Sequence, residues 1–249
     1  MLDPNARFLH GSTMSHVTRM TITGMLGLTF MFVVDLANLF WISRLGDERM
    51  VAALGFAWNV QFFSISVGIG LMIGATALVS KAIGQGRREE ARKFATGCML
   101  LGVCIQALVA ILIVIFRSKI VAFTGATGET ALSAERFLLI SVPTLPLMAI
   151  GMIGSAILRS EGDAYRAMFV TMSAGLVAMV ADPILIIWLE MGLDGAAINT
   201  GLSRLVSTSI AIWSVIRVHN LLGRFFWSLE EQGNAMRSIS DMNAVYSFF

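Results

Sequence analysis

Six long apolar runs alternate with short polar ones along the chain, at 17–42, 51–78, 94–116, 136–158, 167–189 and 195–216. A helix needs about 20 apolar residues to cross the hydrocarbon core of a bilayer. Each run therefore predicts one membrane-spanning helix. The polar breaks run from Ser43 to Met50, Ser80 to Lys93, Arg117 to Glu135, Arg159 to Arg166 and Glu190 to Asp194. The last break is so short that the fifth and sixth spans form an antiparallel hairpin. The pattern predicts an all-α integral membrane protein, a six-helix transmembrane bundle over residues 17–217. Residues 1–16 are expected as a cytoplasmic N-terminal segment. The first run is longer than the roughly 7–15 apolar residues of a signal peptide, so it is expected to stay in the membrane. Beyond residue 217, Leu221, Leu222, Phe225, Phe226 and Leu229 recur at helical spacing, with Glu230, Glu231 and Gln232 after them. That stretch reads either as an amphipathic helix lying on the membrane surface or as a frayed tail.

Composition strengthens this picture. Of 249 residues, 56% are hydrophobic and only 14% charged. A soluble domain carries about 25% charged residues, so lipid is the fitting solvent and membrane lipid the first partner. The net charge of +2 argues against a nucleic-acid surface. Orientation follows from where the basic residues fall. With a cytoplasmic N-terminus, the inner side holds Arg7, Arg19, Lys81, Arg87, Arg88, Arg92, Lys93, Arg159, Arg166, Arg217, Arg224 and Arg237. The outer side holds only Arg44, Arg49, Arg117, Lys119 and Arg136. This bias predicts a multi-pass cell-membrane protein with both termini in the cytoplasm. Cys98 and Cys104 share one span, about 9 Å apart along a helix, and read as packing residues. His10, His16 and His219 lie outside the spans at no metal-ligand spacing. No nucleophile–base set appears, so an enzyme with a bound cofactor is not expected.

The residues that carry chemistry in such a chain are the polar ones inside spans. A charge at mid-span costs about 2.5–3.5 kcal/mol on insertion scales, so it faces a cavity or a partner. Asp35 lies in the first span with Asn38 three residues on, a spacing that places both near one helix face. Asp182 lies in the fifth span directly before Pro183, which interrupts the backbone ladder and frees a carbonyl beside the carboxylate. Both aspartates read as cation or proton sites, or as hydrogen-bonded structural groups. Arg204, about 14 Å into the sixth span and so too near the midplane to snorkel easily, reads as a structural ion pair with an aspartate or as a functional group. Pro143 and Pro146 are expected to kink the fourth span, and Pro183 the fifth. Gly68, Gly70, Gly74, Gly151 and Gly154 read as close helix contacts or as points of bending. The 16 methionines read mainly as core or lipid-facing fillers, with a flexible drug-binding surface as the alternative.

Five stretches carry a family likeness. They are Val34-Asp35-Leu36-Ala37-Asn38-Leu39-Phe40-Trp41-Ile42-Ser43-Arg44-Leu45-Gly46, Ser80-Lys81-Ala82-Ile83-Gly84-Gln85-Gly86, Leu158-Arg159-Ser160-Glu161-Gly162-Asp163, Asp182-Pro183-Ile184-Leu185-Ile186, and Gly192-Leu193-Asp194-Gly195-Ala196-Ala197-Ile198-Asn199-Thr200. In this order and spacing the chain resembles the N-terminal half of a multidrug and toxic compound extrusion (MATE) transporter. The resemblance implies one lobe of a twelve-helix transporter in a bacterial inner membrane, with residues 218–249 as a truncated inter-lobe linker if not an amphipathic tail. It implies export of amphipathic, often cationic drugs in exchange for protons or sodium, by alternating access. It also implies a cation site on Asp182 and Thr200. The family's first-helix aspartate falls on Asn38, with the carboxylate here one turn earlier at Asp35. Ala178 stands where the family often has an asparagine. The expected site is therefore Asp35, Asn38, Asp182 and Thr200, with Arg204 as an intramembrane partner. Sodium at Asp182 is the only metal in view. A transporting form is expected to need a second lobe in trans or a homodimer. A non-transporting remnant or assembly partner, or a lipid-precursor flippase of the same superfamily, are the alternatives. A flippase for anionic headgroups calls for several inward cations, and only Arg204 is available.

Overall fold

A computed structural model of the chain describes residues 13–218, and these are helical almost throughout, with no strand. The elements are α1 (Thr13–Ser43), α2 (Glu48–Gly84), α3 (Arg88–Phe123), α4 (Gly128–Ser141), a 3-10 turn (Val142–Thr144), α5 (Leu145–Ser160), α6 (Ala164–Pro183), a π-helical turn (Ile184–Trp188), α7 (Gly192–Trp213) and a second π-helical turn (Ser214–Val218). Among the described residues, five stretches are long and apolar enough to cross a membrane: Met14–Ser43, Glu48–Gly84, Arg88–Phe123, Gly128–Ser160 and Ala164–Trp188. The sixth predicted span corresponds to α7. It is long enough at 22 residues, but it gathers Asn199, Thr200, Ser203, Arg204, Ser207 and Thr208. The chain is thus a multi-pass membrane protein. The amphipathic stretch from Leu221 to Leu229, and with it His10 and His219, lies outside the described residues.

The connections are tighter than the apolar pattern predicts. The break expected from Ser80 to Lys93 shrinks to the turn between Gly84 and Arg88, and that from Arg117 to Glu135 to the turn between Phe123 and Gly128. Alanine, arginine, lysine and glutamate have high helix propensity, so a helix continues past the apolar run into polar surroundings. Two of the stretches that carry the family likeness turn out to be helix stops. Gly86 and Gly162 take the left-handed backbone at φ 71° and 80°. After each, an amide reaches back across the closing turn: Arg87 N to Ala82 O at 3.0 Å, and Asp163 N to Leu158 O at 2.9 Å. This is the Schellman ending, which a residue with a Cβ enters at a cost. Asp47 and Asp163 then cap the helices that follow, each accepting from a backbone amide.

Pro143 falls within the 3-10 turn and Pro146 in the first turn of α5, so the fourth span is two helices joined at a break. Pro183 ends α6, and the π-helical turn takes up the register, with Leu189 N bonded to Ile184 O at 2.9 Å.

α5 stands at the centre, packed on α2, α3, α6 and α7, while α1 leans chiefly on α6. α1 and α2 are chain neighbours but touch each other little. The core falls into two apolar clusters. One gathers Ile42, Leu54, Phe137, Leu145, Ile186 and Leu193, and the other Val79, Ile83, Ile153, Ile157, Leu158 and Val170. Buried polar groups stand at intermediate levels of the same helices, among them Ser64, Gln106, Ser203 and Ser207.

Glycine contacts divide. A Cβ on Gly154 would lie 2.9 Å from Ala211 Cβ, and one on Gly151 3.2 Å from Ser207 Oγ, so both let α5 meet α7 closely. A Cβ on Gly68 would meet Met152 Sδ at 2.9 Å. Gly70 and Gly74 face open space, so their four-residue spacing makes no helix contact among the described residues.

Candidate functional site

The proline at 183 leaves Asp182 in the last turn of a helix that cannot continue its ladder, and the residue is fully buried. Two amides from other helices reach its Oδ1. Asn38 Nδ2 of α1 donates at 3.1 Å and Asn199 Nδ2 of α7 at 2.5 Å. Asn199 Nδ2 also donates to the carbonyl of Ala178, at 3.0 Å, in the turn that Pro183 disturbs. The carbonyl that Pro183 leaves without its helical donor is that of Met179, the next residue along. Asp182 Oδ2 and Asn199 Oδ1 are both buried and have no partner. Thr200, next to Asn199, donates its hydroxyl to Ala196 O at 2.9 Å and keeps its oxygen lone pairs. These are oxygen ligands of the kind that suit a proton or a hard cation. Among the described residues, no three His, Cys, Asp or Glu side chains come together as a metal cluster.

Asp35 stands apart from this cluster. It is exposed on α1, with Phe32, Val33 and Leu36 exposed around it, and makes no hydrogen bond or ion pair with the described residues. Three residues along a helix turn the side chain by about 60° from Asn38. That angle separates the edge of α1 that meets α6 from the edge that does not.

Arg204 pairs with no aspartate among the described residues. Its Nη1 donates to Ser141 O at 2.9 Å and to Thr144 Oγ1 at 2.7 Å, and its Nη2 donates to Gln61 Oε1 at 2.8 Å. Gln61 in turn donates from Nε2 to Ser141 Oγ at 3.2 Å. The break after α4 supplies two of these acceptors, since the helix end exposes the Ser141 carbonyl and the 3-10 turn presents Thr144.

Two contributors were invisible to a reading that counted charges. Asn199 and Gln61 are neutral amides within apolar runs, each bonded to the charged residue of its cluster. Amides are costly to bury without partners, so an amide inside an apolar run is the signal that would find them. An open apolar groove of about 850 Å³, walled by Phe63, Val67, Leu112 and Phe116 between α2 and α3, contains no member of either cluster.

The MatE family model matches residues 22–184. A FAD transporter of Shewanella oneidensis is 27% identical over 215 residues, which are 85% of this chain and 47% of that protein. The multidrug export protein MepA of Staphylococcus saprophyticus is 23% identical, over 86% of this chain and 48% of its own length. A MOP superfamily transporter from Pyrococcus furiosus, described as having a binding pocket of reverse polarity, superposes with a TM-score of 0.83 at 26% identity, covering 94% of this chain and 53% of that one. The outward-facing conformation of a multidrug resistance MATE family transporter gives the same TM-score and coverage. The chain spans about half the length of the curated relatives it matches.

Proposed function

The chain belongs to the MatE family, the multidrug and toxic compound extrusion transporters, and from that membership we propose that it forms one lobe of a secondary exporter. The exporter moves amphipathic compounds outward in exchange for protons or sodium, by alternating access. A second lobe completes the enclosure of the transport path. The relatives named above, a FAD transporter and a multidrug export protein, support export of organic cargo. The inward bias of basic residues supports cytoplasmic termini in a bacterial inner membrane.

One observation carries the coupling role. Asp182 is sealed in the bundle with one oxygen held by two amides and the other unpartnered, beside an unpartnered oxygen of Asn199. Low dielectric penalises the charged form of a carboxylate. The free oxygens at this point are places for a proton or a sodium ion, with Asn38 and Thr200 as the neutral flank. Asp182 takes up the ion from the outer side and releases it inward. One charge crossing about 100 mV supplies roughly 2.3 kcal/mol, enough for a gradient of about fifty-fold.

The test is dye efflux from energised vesicles that contain the chain and its second lobe. Asp182→Asn keeps the shape and removes the exchangeable site. Coupled efflux is expected to stop while the protein still inserts in the membrane. Full efflux in that variant would remove α6 from the coupling mechanism.

A further inference from the structure

We propose that Arg204 is an anion subsite for the cargo, taking a carboxylate or phosphate group on an otherwise amphipathic molecule. The inference rests on the export reading and adds a charge to its substrate class.

The argument starts from charge balance inside the lobe. A guanidinium has five N–H donors in a rigid fork and no acceptor. The three acceptors on Arg204 are a carbonyl, a hydroxyl and an amide oxygen, all neutral. They fix its direction and leave its charge standing. The carboxylates of α4, α6 and α7 are engaged elsewhere. Glu135 holds Arg117, Asp194 holds Arg136 and Glu129 holds Arg49, while Asp182 is bonded to Asn38 and Asn199. No carboxylate among the described residues neutralises Arg204. Its Nε–H and one Nη2–H have no acceptor, and two donors of one fork fit a planar or tetrahedral oxyanion bidentately.

The frame around the fork is rigid. Gln61 is bonded to Arg204 at one end and to Ser141 at the other. Gly201 lets α7 come close to the 3-10 turn, since a Cβ there would lie 3.2 Å from Thr144 Cγ2. Position along α7 separates this subsite from the carboxylate site. Five residues divide Asn199 from Arg204, about 7.5 Å of rise and about 140° of rotation. One flank of α7 thus serves Asp182 with α1 and α6, and the other carries the guanidinium with α2 and α4.

The test uses the whole chain in lipid nanodiscs and two xanthene dyes, fluorescein as the anion and rhodamine 6G as the esterified cation. Fluorescence polarisation gives each dissociation constant, with no ion gradient needed. Failure here therefore leaves the coupling role of Asp182 standing, and the reverse also holds. Arg204→Gln is expected to weaken fluorescein by about tenfold or more, the scale on which charge-assisted hydrogen bonds act. Rhodamine 6G is expected to bind no more weakly than before. Arg204→Lys keeps the charge without the fork and is expected to retain part of the fluorescein affinity. Fluorescein binding that is absent from the parent chain, unchanged in Arg204→Gln, or lost together with rhodamine 6G in both variants overturns the proposal.

Discussion

At the scale of single residues, Asn199 is the most informative position for stability. Its Nδ2 serves a carboxylate oxygen and a backbone carbonyl together, so one side chain ties α7 to both the functional group and the scaffold of α6. Asn199→Ala removes both bonds, leaving Asp182 Oδ1 to Asn38 alone and Ala178 O to the helix backbone. The expected loss is about 1–2 kcal/mol, within the range for a buried polar partner removed and above the mean for membrane helices. Thermal unfolding in detergent would measure it. Asp35→Asn is expected to leave that melting temperature unchanged, because Asp35 makes no bond and is exposed. A large drop in Asp35→Asn would place Asp35 within the packed lobe.

At the scale of elements, helix contact is decided by what a Cβ would meet. At Gly195 it would stand 2.7 Å from the backbone oxygen of Leu185, which cannot swing away as a side-chain end can. Gly195→Ala is expected to wedge α7 off the turn that follows α6, at about 1–3 kcal/mol. Gly70→Ala and Gly74→Ala are expected to change little, since open space faces both. Guanidinium or heat titration of the three variants compares them directly. The same elements show how far a sequence can be read. Among the described residues, the apolar runs located the five stretches apolar enough to span and α7 besides, because each has to satisfy its backbone bonds inside lipid. The runs missed how far α2 and α3 continue, since polar residues of good propensity extend a helix without an apolar signal. They showed Pro143 as a kink in the fourth span, which proves to be the join between α4 and α5. They found Asp182 by its charge, and missed Asn199 and Gln61. Rotation mattered most for Asp35. A three-residue offset is close in sequence, yet it carries one side chain into a cluster and its neighbour out.

At the scale of the whole molecule, one end of the helix bundle is stitched by charge. Arg49 meets Glu129, Arg117 meets Glu135 at 3.7 Å and Arg136 meets Asp194 at 2.5 Å, which link α2, α3 and α7 to α4. These pairs are partly exposed, so they locate the helix ends more than they hold them. With that end outward, the α2–α3 turn faces the cytoplasm. A cysteine placed at Gln85 in a background without Cys98 and Cys104 is expected to react with an impermeant maleimide only after the cells are opened. Labelling in intact cells would reverse the proposed orientation.

The polar character of α7 also governs how the chain is made. A ribosome feeding this chain to a translocon presents α7 with Arg204 near its middle, where an arginine alone opposes insertion by about 2.5–3.5 kcal/mol. The five stretches apolar enough to cross a membrane do not include α7. α6 and α7 are joined by only a few residues after the π-helical turn, and Asn199 on α7 can find Ala178 and Asp182 on α6. α7 is therefore expected to enter the bilayer as the second arm of a hairpin and not as a separate segment. Glycosylation reporters in microsomes would show it: α7 fused alone to a carrier fails to stop in the membrane, while the α6–α7 pair integrates.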